Sequence, residues 1–396
     1  MSIIQKGIKT IIVAVVLLGL SGQVWASYSG NVSLTSLTAL NSVSYTEQNT
    51  RDKGGTDIVT GDFNGDGFID MAVSDRNYDS ANSQTKLIGR VYVFYGDVFG
   101  STGSLSTADV IFEAESTTAN QLLGYSLAAV DMDNDGDDEL FMTASEYSSN
   151  RGVAYVIFGG TTLSGTLALS GISPTSTTVP GVRLTGTNSN ERVRNVANAG
   201  DINGDGYDDL LIGKQKNTSG TTTGTYGTVS LIYGSSTFTT DFTAATYTVA
   251  SVADATINGY ATGNELEFCA SAGDLDNDGF GDFFVGSEKY SSNKGIAYLF
   301  YGNALLTGTI STSAANANFV AAASSNKAGR AMAGAGDING DGFGDIVLGA
   351  YNATGSTSSS GAAYIFNGSC PRFSGSYTLN STMATAYLKG TASADY

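Results

Sequence analysis

An acidic nine-residue loop recurs along this chain, beginning at Asp62, Asp131, Asp201, Asp274 and Asp337. The intervals are 69, 70, 73 and 63 residues, so the unit is periodic and the period limits what the chain can fold into. The loops read "DFNGDGFID", "DMDNDGDDE", "DINGDGYDD", "DLDNDGFGD" and "DINGDGFGD". More than the loop repeats. A small-residue apolar segment precedes each one, such as "GYSLAAV" or "FCASAG", and a short apolar run follows, such as "LLIG" or "IVLGA". Further on comes an aromatic segment: "GRVYVFYG", "GVAYVIFGG", "GTVSLIYG", "GIAYLFYG" or "GAAYIFNG". A weaker fourth segment closes the unit, as in "VRLTGT" (residues 182–187) or "AYLKGT" (residues 386–391).

Each unit therefore predicts four short strands, and no part of the mature chain shows sustained helical periodicity. The aromatic segments are apolar at nearly every position, as a strand covered on both faces requires. Tyr92, Phe94, Tyr155, Phe158, Tyr298 and Phe300 are thus expected between packed sheets. Repeated four-stranded antiparallel units are the blades of a β-propeller. The fold class read here is all-β, with about five blades in a ring or an incomplete ring, and a loop between the first and second strands of each blade. The competing fold, a row of β-sandwiches, needs units of about 100 residues and linkers between them. The repeats fall near 56–121, 122–190, 191–263, 264–326 and 327–396. Residues 27–55 form a lead-in that offers a closing strand beside the last blade.

Oxygen ligands fall at positions 1, 3, 5 and 9 of each loop, glycine at 6 permits a sharp turn, and position 7 offers a carbonyl. The sets are Asp62, Asn64, Asp66, Phe68 and Asp70; Asp131, Asp133, Asp135, Asp137 and Glu139; Asp201, Asn203, Asp205, Tyr207 and Asp209; Asp274, Asp276, Asp278, Phe280 and Asp282; Asp337, Asn339, Asp341, Phe343 and Asp345. Carboxylates, amides and carbonyls make a cage for a hard cation, so the cofactor expected is calcium at about five sites. With no histidine in the chain and no cysteine in the loops, zinc and copper are poor candidates. Asp, Asn and Gly also form turns unaided, but five loops in one register, each with Gly at position 6, favour the cage. These are not EF-hands, which close with a glutamate at position 12 and have flanking helices. Position 12 here is Val73, Met142, Ile212, Val285 and Leu348.

The small-residue strand, the loop D-x-[DN]-x-D-G-x-x-D (with Glu139 in place of the last Asp in the second loop), the apolar strand and "G-x-Y-x-F-Y-G" together resemble the FG-GAP repeat. That repeat is the blade of the integrin α-subunit N-terminal propeller and of bacterial secreted proteins. The resemblance covers residues 56–396 and implies the same calcium ligands at the positions named above. The Phe-Gly signature is reduced to Leu123-Gly124 and Ala328-Gly329, and Gly-Ala-Pro survives as Gly349 to Tyr351. Integrin-type propellers have seven blades, against five loops here.

Lys6, Lys9, the apolar Ile11–Leu20 and the small residues Val24 and Ala26 read as an export signal cut after Ala26. The apolar run is too short to span a bilayer. The mature chain is then secreted or otherwise extracytoplasmic, where Cys269 and Cys370 either pair or remain two isolated thiols. A net charge of −18 without a basic stripe argues against nucleic acid. The function read here is an adhesion or interaction module for an unidentified protein or glycan on a cell surface or matrix. The Ser/Thr/Gly-rich insertions at 216–227 and 352–361 are contact candidates, or simply solvated linker. The alternatives are a piece of a larger surface protein and a polysaccharide-acting hydrolase or lyase. Without histidine, Ser-His and Cys-His systems are excluded. Glu265 and Glu267 are the least improbable carboxylate pair, and alternation predicts that both lie on one solvated strand face.

Overall fold

A computed structural model describes residues 11–13, 43–46, 54–79, 86–96, 102–116, 120–217, 226–259, 265–354, 359–369 and 371–390. Five sheets follow one another along the chain, each with a core of four antiparallel strands from one repeat. Blade 1 comprises Gly54–Gly61, Asp70–Asp75, Arg90–Phe94 and Val110–Glu113. Blade 2 comprises Leu123–Val130, Glu139–Ala144, Val153–Ile157 and Gly181–Thr185. Blade 3 comprises Val193–Gly200, Asp209–Asn217, Tyr226–Ile232 and Ala255–Asn258. Blade 4 comprises Phe268–Gly273, Asp282–Ser287, Ile296–Phe300 and Ala317–Ala321, and blade 5 Ala328–Gly336, Asp345–Ala350, Ala362–Phe366 and Ala386–Lys389. The first strands pack side by side in chain order, and all five line one central cavity of about 630 Å³. This is a β-propeller arrangement. Among the described elements, no comparable packing joins Gly54–Gly61 to Ala328–Gly336.

The first strands can approach so closely because their inward residues are small: Ala129, Ala197, Ser271 and Gly334 all face the cavity. The glycine that opens the third strand serves the same end. Gly295 has φ +81°, and a Cβ there would lie 2.1 Å from the carbonyl oxygen of Ala328, on the next blade's first strand. A larger residue would push the two blades apart.

Four blades carry a fifth strand that four-strand periodicity does not anticipate. Gly165–Ala168 leaves blade 2 and pairs in parallel with Val110–Glu113 of blade 1. Thr246–Thr248, Gly308–Ser311 and Gly375–Leu379 do the same for blades 2, 3 and 4. Each comes from the segment between the third and fourth strands of the following blade, so every such segment is a strap across a blade boundary. In blade 1 the equivalent strand, Thr102–Ser104, pairs in parallel with Val43–Thr46, which pairs antiparallel with Ile11–Val13. The lead-in strand Val43–Thr46 is therefore the middle strand of a separate three-stranded sheet. Among the described strands it is not paired with blade 5. Apart from Ile11–Val13, the expected export signal lies outside the described residues, as do residues 218–225 and 355–358 of the two insertions.

The core lies between blades. Tyr92, Phe94, Tyr155, Tyr298 and Phe300 are buried as expected, and Phe158 is half-buried against Phe242. Phe319 is fully buried between blades 4 and 5, with the rings of Phe284, Phe366, Phe373 and Tyr377 around it. The second strands of blades 1, 2 and 4 are buried along their whole length. In blade 5 the second strand alternates, with Val347 and Gly349 half-buried on the face away from blade 4, and Ala386–Lys389 is exposed throughout.

Two outcomes follow from this packing. Phe319→Ala should cost about 3–5 kcal/mol in chemical denaturation, whereas Leu305→Ala, at an 84% exposed position, should stay within about 0.5 kcal/mol of the parent. Gly295→Ala should destabilise clearly more than Gly308→Ala. Both have positive φ, but a Cβ at Gly308 meets nothing within 4 Å.

Candidate metal loops

Each loop is a turn wound around its first carboxylate. Asp201 Oδ1 accepts the N–H of Gly204 (2.6 Å) and Asp205 (3.0 Å), and Oδ2 accepts that of Gly206 (2.8 Å). Asp62 and Asp337 repeat all three bonds. Asp131 and Asp274 accept from positions 5 and 6. The position 5 carboxylate accepts the N–H of position 7 in every loop, from Phe68 (2.8 Å) to Phe343 (2.9 Å). The sharp path needs left-handed backbone at position 6, where Gly206 has φ +93°.

Position 9 does something the loop motif does not reveal. Asp70, Glu139, Asp209, Asp282 and Asp345 are all buried, and each opens a second strand. One oxygen accepts the N–H of position 2, as Asp209 does from Ile202 at 2.8 Å. The other accepts the N–H of the glycine that ends the aromatic motif, as Asp209 does from Gly234 at 2.9 Å. The same two bonds hold at Asp70, Glu139, Asp282 and Asp345. This acid is a staple between the loop and the third strand. Burial raises its pKa against the pull of those donors: Asp70 to about 6, Asp209 and Asp282 to about 7, and Glu139 to about 8.

The loops divide into two kinds. In loops 1, 3 and 5 position 3 is asparagine, and its Nδ2 donates to the position 5 carboxylate: Asn64 to Asp66 (2.9 Å), Asn203 to Asp205 (2.8 Å) and Asn339 to Asp341 (2.9 Å). In loops 2 and 4 position 3 is aspartate. Asp131, Asp133 and Asp135 bring one oxygen each within 4.8 Å of one another, and Asp274, Asp276 and Asp278 do likewise. Asp133 Oδ1 and Asp276 Oδ1 are buried with no hydrogen-bond partner. A carboxylate oxygen in that condition fits a cation, because it faces other carboxylates and no donor. In these two loops position 4 is Asn134 or Asn277, whose Nδ2 donates to the carbonyl of Gly206 or Gly342 in the next blade's loop.

Other partners lie beyond the motif. Asp138 Oδ2 accepts the N–H of Asp62 (2.9 Å), and Asp138 N–H donates to the Asp62 carbonyl (2.7 Å), zipping loop 2 to loop 1. Thr239 Oγ1 donates to Asp133 Oδ2 at 2.7 Å, and Arg372 pairs with Asp276. The alternation of "NGD" and "DND" was visible in sequence. Thr239 and Arg372 left no signal, since they arrive from the strap of the following blade.

Glu265 and Glu267 are not a solvated pair. They precede the strand Phe268–Gly273. Glu267 is buried against Arg194 (2.9 Å), while Glu265 pairs with Lys289 and accepts from Gln215 (3.0 Å). Each carboxylate has its own cationic partner, Arg194 for Glu267 and Lys289 for Glu265. Cys269 is buried and unpaired, with its Sγ 3.1 Å from Asn195 Oδ1, and Cys370 lies outside the described residues.

No curated protein matches the chain. The model of the FG-GAP repeat matches residues 123–157, 194–231 and 328–366. Those segments run from the first strand through the loop to the third strand of blades 2, 3 and 5, and blades 1 and 4 repeat the same loop bonds and staple. The chain thus carries three FG-GAP repeats, in blades 2, 3 and 5.

Proposed function

We propose that this protein is a secreted or cell-surface propeller, stabilised by calcium and acting as an adhesion or interaction module. FG-GAP repeats form propeller-type interaction modules, and such propellers are generally non-catalytic. The observation that carries the calcium reading is the carboxylate triad in loops 2 and 4, each with a buried oxygen that has no donor. Positions 1, 3 and 5 would hold the ion, with the carbonyl of position 7 beside them. Bound calcium would supply positive charge and no chemistry. No helix among the described residues is long and apolar enough to cross a membrane. The expected leader supports export, and free calcium is plentiful outside the cytoplasm. The ligand surface is assigned to the loops at the propeller rim, facing a protein or glycan.

Calcium that binds only the folded state stabilises it by RT ln(1 + [L]/Kd). With Kd of about 10⁻⁴ to 10⁻³ M, about 1 mM calcium gives roughly 0.4 to 1.4 kcal/mol per site. Five sites then give about 2 to 7 kcal/mol, a large part of a domain's net stability of about 5 to 15 kcal/mol. Excess chelator should therefore lower the melting temperature by several degrees or more, as read by thermal unfolding with and without calcium. An unchanged melting temperature would reduce the loops to turns.

Asp135→Asn separates shape from charge. The amide oxygen can still accept the N–H of Asp137, now at 3.0 Å, so the turn is kept. One negative ligand is lost, and the calcium-induced rise in melting temperature should shrink. Asp241→Ala, at an exposed acid outside every loop, should leave that rise intact. If Asp135→Asn responds to calcium as fully as the parent, the cage reading fails for loop 2.

A further inference from the structure

Loops 2 and 4 carry the same four acidic positions, yet the following blade presents different groups to them. In loop 2 the partner is neutral: Thr239 Oγ1 donates to Asp133 Oδ2 at 2.7 Å. Thr239 lies in blade 3, between its third strand and the strap strand Thr246–Thr248. In loop 4 the partner is a cation. Arg372 lies in the corresponding segment of blade 5, just before the strap strand Gly375–Leu379. Its Nη1 pairs with Asp276 Oδ2 and lies 3.6 Å from Asp278 Oδ2. The guanidinium also sits over the Tyr301 ring, 4.6 Å from its centroid. Asp276 is nine-tenths buried, and its second oxygen, Oδ1, has no partner. The Arg372 side chain is half exposed, so it has solvent to move into.

We propose that Arg372 is a tethered counter-cation of the fourth loop that competes with a divalent ion for Asp276 and Asp278. A divalent ion bound by those oxygens at about 2.3–2.6 Å would lie within a few ångströms of the guanidinium. Two cations that close repel each other, so one must leave. Loop 4 is thereby the weaker site, and loop 2, which also carries Asp137 and Asp138 at positions 7 and 8, the stronger one. Occupancy of loop 4 is coupled to the position of the strap that joins blade 5 to blade 4. Calcium would free Arg372 from loop 4, and calcium removal would return it. This rests on the calcium reading of the loops and adds a rank order to it.

The test is calorimetric calcium titration of the full chain, with Arg372→Gln, Arg372→Lys and Thr239→Arg alongside the parent, and with Asp278→Asn to assign the loop 4 site. Arg372→Gln should tighten that site roughly three- to tenfold, the scale of one or two partly exposed ion pairs, and leave the others unchanged. Arg372→Lys keeps the charge and should stay close to the parent. Thr239→Arg should weaken the loop 2 site by a similar factor. Raising the salt concentration should narrow the gap between parent and Arg372→Gln, because the competition is electrostatic. Calcium bound with the same affinity at loop 4 in parent and Arg372→Gln overturns the inference and leaves the calcium reading standing. Equal tightening by Gln and Lys also overturns it, since charge would not be the cause. No calcium bound by any of the proteins removes the calcium reading, and the inference with it.

Discussion

The buried carboxylate at the head of each second strand is the interaction on which the blade depends. It ties together two parts of the chain that are far apart in sequence: the second residue of the acidic loop and the glycine that closes the aromatic strand. In blade 3 these are Ile202 and Gly234, both held by Asp209. A buried amide N–H without an acceptor is costly, and two would be exposed by losing this one side chain. The acid is also costly to bury, which is why its pKa is raised in four of the five blades. It persists because it satisfies two donors that nothing else reaches, and because it places the loop's open face outward.

Above this staple the blades are held to one another by three devices. Small inward residues let first strands lie close together around the cavity. Aromatic side chains such as Tyr155 and Phe319 fill the space between sheets. The strap strands Gly165–Ala168, Thr246–Thr248, Gly308–Ser311 and Gly375–Leu379 then add backbone hydrogen bonds across each boundary. Two of the segments that carry straps also deliver residues to the preceding blade's loop. Thr239 and Arg372 arrive in this way, so interblade packing and the composition of a loop are set by the same segment.

Much of this architecture was legible in the residues. The repeat period and the alternation of small, acidic, apolar and aromatic segments led directly to five four-stranded blades. In loops 2 and 4 the acids at the first, third and fifth positions lie together. What could not be read depends on contacts between units. The ninth position has a second role that the motif does not show: it accepts the N–H of Gly96, Gly159, Gly234, Gly302 or Gly368. The strap strands are short and mostly exposed, as in Gly165–Ala168, so they carry little hydrophobic signal. Glu267 read as solvated because its partner, Arg194, lies on the preceding blade's first strand and reaches it only through the fold.

Whether the acidic loops are turns or cages is a choice that the geometry makes unnecessary. The turn is made by hydrogen bonds from the backbone to Asp201, Asp205 and their equivalents, and those bonds do not depend on a cation. The shape is therefore built before any ion arrives, and an ion would pay little ordering entropy. What hydrogen bonds do not supply is charge balance. In loops 1, 3 and 5 an asparagine amide facing the position 5 carboxylate supplies part of it. In loops 2 and 4 that amide is replaced by a third carboxylate, one oxygen of which has no donor. The pressure for a cation is thus greatest in those two loops. Of the two, among the described residues, loop 4 alone is given a positive side chain by its neighbour. The loops share one backbone design, and their charge is graded by the residue at position 3 and by what the next blade lays over it.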